Sequence, residues 1–268
     1  MKFLATILFL ITVSASLGQN KYFVSTTGSN SNNGLTTSNA FSTIQFAINT
    51  AQSGDSIIVA SGTYLENINF SGKNVKVCSN FIYSGDSTVI SSTKIDGGAN
   101  GFPVVKFVTG EGPTAQLNGF TIQNGLVALS LTAAGIQVHG FGTSPTLKNL
   151  IIKNNTLINQ GEGAGMTVFN TEAVTTIQNI KFLNNVSSNG VGGLKVHAGN
   201  ISMTNVEFRN NSGYVSAFAR SIGAGSFDNY FYPLRNILIA NNSGSLCVSG
   251  SGLVFMNTTI ANNSGGIV

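Results

Sequence analysis

The sequence predicts an all-β chain, a right-handed parallel β-helix (solenoid) with an N-terminal capping helix. Three observations predict it. First, a ten-residue pattern recurs: apolar, any, Asn, apolar, any, apolar, any, Asn, Asn, small. It is clearest at 147–156 and returns at 177–186, 203–212, 234–243 and 255–264. A degenerate copy at 117–125 carries Gly119 and Gly125 at two of the Asn positions. The starts lie 30, 30, 26, 31 and 21 residues apart, the period of a repeat array. Second, pairs such as Leu150 and Ile152, or Val206 and Phe208, alternate with period two, which describes strands. Each run closes on Asn-Asn or Asn-Gly, the residue types that best tolerate left-handed backbone, so a tight bend follows. Third, a second strand register, Gly135-Ile136-Gln137-Val138, Gly165-Met166-Thr167-Val168 and Gly193-Leu194-Lys195-Val196, precedes the starts at 147, 177 and 203 by 12, 12 and 10 residues. Two or more inward-facing strands per repeat describe one rung, and stacked rungs bury the core at about 4.8 Å per strand.

Taken in order, Met1-Lys2, the apolar run 3–13 and the small residues of 14–18 read as a secretory signal peptide, too short for a bilayer span of about 20 residues. Residues 19–54 supply a first strand, Tyr22 to Ser25, and an amphipathic helix. Phe41, Ile44, Ala47, Ile48 and Ala51 share a helical face, with Ser38 or Asn39 as N-cap and Gly54 as stop. It is expected to be the only helix and to cover the open end of the coil. Residues 55–268 are the coil. Within it 85–101 read as turns, and 214–220 as a lengthened turn followed by Phe227, Tyr230, Phe231 and Tyr232. The chain ends inside a strand at Val268, so the last rung is expected to be covered by missing sequence or another chain.

Tyr22-Phe23-Val24-Ser25, the helix, and Gly54-Asp55 through Gly62-Thr63-Tyr64 resemble the N-terminal signature of secreted right-handed parallel β-helix proteins of the pectate-lyase-like superfamily. Gly192-Gly193-Leu194, Phe182-Leu183-Asn184-Asn185 and Phe208-Arg209-Asn210-Asn211 are similar to polymorphic outer-membrane-protein repeats. The resemblance spans nearly the whole mature chain and implies the fold. It also implies a polysaccharide lyase or glycoside hydrolase as one reading, although one fold carries many functions.

Composition narrows the rest. Charged residues are 8% of the chain, and loss of Lys2 with the leader takes the formal net charge from +4 to +3, too weak and dispersed for nucleic acid. Cys78 and Cys247 are separated by about six rungs, on the order of 30 Å, whereas a disulfide needs Cα atoms within about 7 Å. Two free thiols are expected.

Catalysis on acidic polysaccharides needs gathered carboxylates, either to hold Ca²⁺ or as a hydrolytic pair. Stacking the copies puts Lys148, Gln178, Thr204, Arg235 and Met256 in one outward column, Ile151, Lys181, Glu207, Leu238 and Thr259 in a second, and Lys153, Leu183, Arg209, Ala240 and Ala261 in a third. No column holds two carboxylates, so no catalytic residue, metal site or cofactor is assigned. Lys181 over Glu207 is the only charge pair that the stacking predicts, a surface contact worth about 0–1 kcal/mol. The candidate ligand-binding residues are His139, Phe169, His197 and Lys195. The two histidines take the same slot two rungs apart with Phe169 between, facing out beside Gln137, Thr167 and Lys195. At about 9.6 Å apart they cannot share a metal ion, whose ligand distances are about 2 Å. A sugar would stack on Phe169 with the imidazoles bonding its hydroxyls, or the strip is incidental. Asn-x-Ser/Thr sequons begin at Asn154, Asn185, Asn200, Asn210, Asn241, Asn257 and Asn262 in and around the copies, and ladders of stacked amides explain asparagine there without glycans.

The expected function is therefore a secreted or cell-surface module, structural, adhesive or in contact with a polysaccharide or cell-surface glycan, with no nucleic-acid partner and no membrane span. The alternative is a polysaccharide lyase or glycoside hydrolase. A third reading is a fragment that supports a missing domain.

Overall fold

The computed structural model describes residues 19–128, 132–158, 161–169, 173–221, 232–250 and 253–268. The expected leader at 1–18, and Glu172, Phe227, Asp228, Tyr230 and Phe231, lie outside them.

One rung shows how the sequence makes the coil. The strand Thr146–Lys153 bends at Asn149, where φ is +52°, and ends at Asn154, where φ is +54°. Thr156–Leu157 form a short strand, Met166–Phe169 a third, and Val174–Leu183 begin the next rung. Strand residues pair in parallel with their equivalents one rung on: Leu147 with Ile177, Ile152 with Phe182, Val168 with Val196. The result is a parallel β-helix with three faces, in the right-handed sense that parallel crossovers take. Among the described residues a long sheet of 12 strands carries the ten-residue copies, a back sheet of eight runs opposite, and a sheet of three short strands closes the third side.

The core follows from alternation. Leu147, Leu150 and Ile152 point inward from one sheet, Ile136, Val138, Met166 and Val168 from the other, all at most 1% exposed. Phe182 and Phe208 stack at 4.8 Å and 5° between planes. The back-sheet strands start at Gly135, Gly165 and Gly193 because a Cβ on each would meet the carbonyl of Gly165, Gly193 or Ala217 in the next rung. Both cysteines are free and buried. Burial pushes the Cys78 thiol up to about 11, with Lys76 pulling weakly the other way.

Four expectations need correction. Helix α1, Ile44–Thr50, starts later than the apolar stripe suggested, with Thr43 as N-cap. Phe41 instead bridges Val24 in extended backbone, yet stays buried against the same core. Nor is α1 the only helix: Phe81–Ser84 form α2 and, where turns were expected, Ser87–Ser92 form α3, starting from the Asp86 carboxylate on the Thr88 N–H. Residues Thr93–Asp96 then form a strand. The lengthened turn at 214–220 is the back-sheet strand Val215–Ser221, its extra residues taken up by a bulge between Val215 and Phe218. Finally, Lys181 to Glu207 is joined by two further ion pairs, Arg209 to Glu207 and Lys195 to Glu162.

Helix α1 closes the first rung against the strands Lys21–Val24, Ser56–Val59 and Ile68–Asn69. At its N-terminus the Glu66 carboxylate accepts from the Ile44 and Gln45 N–H groups, both at 2.9 Å. At its C-terminus the Lys73 ammonium donates to the Ile48, Asn49 and Ala51 carbonyls at 2.9, 2.6 and 2.8 Å. The charges complement the helix dipole at both ends and satisfy groups that a short helix leaves bare.

Candidate functional site

The outward face of the back sheet brings the candidate residues together. His139 pairs with Phe169, and Phe169 with His197, so the three rings form one column. His139 meets Phe169 edge to face at 5.0 Å and 64°, and His197 stacks on Phe169 at 4.8 Å and 7°. Phe169 thus lies between two imidazoles along the coil axis, one face stacked on His197. Phe169 is half-buried and stacked on its neighbour along the axis, where the sequence suggested an open platform.

Lys195 sits two residues before His197 on the same strand and on the same face, in the column Gln137, Thr167, Lys195, Ala219. Its ammonium donates to the Gly161 carbonyl at 2.6 Å and pairs with Glu162 Oε1 at 3.2 Å. The 161–163 loop is fastened over this face, since the Gly163 N–H donates to Thr167 Oγ1 at 2.9 Å. Glu162 is 7% exposed, and its second oxygen, Oε2, is buried without a hydrogen-bond partner among the described residues. Such an atom is an exception that calls for a donor. Sequence reading missed Glu162 because it lies in the loop between copies, outside every stacked column.

The other described carboxylates are occupied. Asp55 accepts from the Asn20 and Gln52 N–H groups, and Glu66 holds α1. Asp86 starts α3, and Asp96 accepts from Gly98, Gln123 and Asn124. Glu111, fully buried, accepts from the Gly72 and Thr109 N–H groups, while Glu207 pairs with Lys181 and Arg209. Each is spent on the backbone or on a neighbour, in different places.

No sequence-family model and no curated protein matches the chain. Among solved structures it is similar to a pectin methylesterase from carrot, with a TM-score of 0.38, 13% identity, and 94% of this chain and 84% of that one covered. It is also similar to the PL6-family alginate lyase AlyGC, at 0.41 and 11%, with 94% of this chain and 40% of that one covered. The chain thus spans less than half the length of the lyase. Neither likeness is close enough to assign an activity or a site.

Proposed function

We propose that the chain is a secreted or cell-surface β-helix module that contacts a polysaccharide or cell-surface glycan through the outward face of its back sheet, without cleaving it. The observation that carries this reading is the outward column of His139, Phe169 and His197, with Lys195 on the same strand and face as His197. Imidazoles both donate to and accept from hydroxyls, the groups a carbohydrate presents, and Glu162 holds Lys195 in place beside them. The dispersed, already bonded carboxylates support a contact surface over a hydrolase or lyase, which needs two of them converging on one bond.

Affinity electrophoresis tests this in native gels holding neutral or uronic-acid polysaccharides. The account expects retardation in at least one gel, reduced by Glu162→Gln and by His197→Ala while the unfolding temperature stays near the parent's. Unretarded migration in every gel contradicts it. So does release of reducing ends or unsaturated uronates that a single carboxylate replacement abolishes, which is the outcome the enzyme reading expects.

A further inference from the structure

The two asparagines that close each copy are chemically distinct, although the sequence writes them alike. The second belongs to an internal ladder. Asn155, Asn185 and Asn211 are fully buried, and each side-chain amide donates to the next asparagine's Oδ1 at 3.0 Å and to an inward strand's carbonyl. The first stands outside. Asn154, Asn210, Asn241 and Asn262 have φ of +54°, +56°, +57° and +54°, are exposed, and spend no side-chain hydrogen bond within the described protein. All four begin Asn-Asn-Ser/Thr sequons. In the copy at 177 a valine follows the pair, so the sequon shifts to Asn185, inside the ladder. Asn257 also begins one but gives its amide to Asn236 Oδ1 at 3.2 Å, and Asn200 is half-buried within the strand Asn200–Arg209.

We infer that Asn154, Asn210, Asn241 and Asn262 are N-glycan acceptor sites and that Asn185, with the same sequon, carries none in the folded protein. The amide Nδ2 attacks the anomeric carbon of an oligosaccharide carried on a polyisoprenyl diphosphate. The new C–N bond replaces the C–O bond to the diphosphate, which leaves with its electron pair and takes up the one proton the amide gives up. At the four exposed bends the glycan projects into solvent. At Asn185 it would occupy a fully buried position and displace a hydrogen atom used toward Ile152 or Asn211, so a chain glycosylated there cannot close the ladder.

The surroundings suit the product. The sequon hydroxyls Ser212, Ser243 and Ser264 line an open trough of about 950 Å³, which also holds Ser187 and Tyr214 and supplies hydroxyl partners for the sugars nearest the chain. Sugars on Asn210, Asn241 and Asn262 stand on successive rungs, about 4.8 Å apart, and sheathe one edge of the coil. The back-sheet face stays clear.

The test is secretion of the whole chain from a eukaryotic host under a supplied leader, then peptide mapping after an amidase that leaves aspartate at each glycosylated asparagine. Aspartate is expected at 154, 210, 241 and 262, with asparagine at 185. Asn154→Gly keeps the left-handed bend and should lose one glycan with the fold intact; Thr156→Ala should lose the same one. Four bare acceptors, or a glycan on Asn185 in folded protein, overturn the inference. The readout is mass, so failure of the carbohydrate-contact reading leaves it untouched.

Discussion

Asparagine performs three separable tasks in this coil. It takes left-handed backbone at the bends, it forms an exposed amide ladder through Asn118, Asn149, Asn179, Asn205 and Asn236 at 2.8–2.9 Å, and it forms the buried ladder from Asn155 to Asn263. The buried one should matter most. Asn211→Ala strips the acceptor from the Asn185 N–H and amide and the donor from the Phe182 carbonyl. At about 1–3 kcal/mol for each buried group left unpaired, the variant should lose about 3–5 kcal/mol in urea unfolding. Asn205→Ala should cost about 1–2 kcal/mol, chiefly for alanine in left-handed backbone, and Asn205→Gly roughly 1 kcal/mol less. Equal losses for Asn205→Ala and Asn211→Ala would contradict the assignment of roles. The sequence announces asparagine at these positions. It cannot say which of two neighbours turns inward, because that depends on the rung above.

Among elements, α1 makes the sharpest case, since both its ends are satisfied by side chains outside it. Lys73→Ala should cost about 1–2 kcal/mol by freeing three C-terminal carbonyls. Glu66 sets a pH dependence. Burial raises its pKa above the ordinary 4.5, only partly offset by the Gln45 and Ile44 N–H bonds, so the folded state holds the proton more tightly than the unfolded chain. Stability from this group is therefore complete below about 4.5 and falls as pH rises through the folded value, at most about 1.4 kcal/mol per pH unit. Glu66→Gln should flatten that slope in unfolding measured from pH 4 to 8; an unchanged slope would assign it elsewhere. The apolar stripe made α1 legible, while its true start was hidden because Phe41 is buried as a bridge partner of Val24 and only looks helical. Helices α2 and α3 were illegible for a related reason. They are too short to show a period, α2 ending on the left-handed Gly85 and α3 starting from the Asp86 cap.

At the scale of the whole molecule, repetition converts sequence alignment into three-dimensional contact. The columns read from the aligned copies are the columns of the coil: Lys148, Gln178, Thr204, Arg235 and Met256 pair in register, as do Ile151, Lys181, Glu207, Leu238 and Thr259. That is why the column of His139, Phe169 and His197 could be drawn in advance, and why Glu162, which belongs to no column, could not. The stacking of rings also follows from the coil rather than from any one residue. Equivalent side chains one strand spacing apart meet along the axis, so Phe169 packs between the two imidazoles, stacked on His197 and angled to His139. Every site drawn on this surface depends on that register. Its most direct measurement is disulfide trapping between engineered cysteines on the long sheet. Gln178→Cys with Thr204→Cys, paired on adjacent strands, should close under mild oxidation, with the native thiols buried away from the reaction. Gln178→Cys with Arg235→Cys, two strand spacings or about 9.6 Å apart, should stay reduced. Closure of the second pair in preference to the first would contradict the stacked coil.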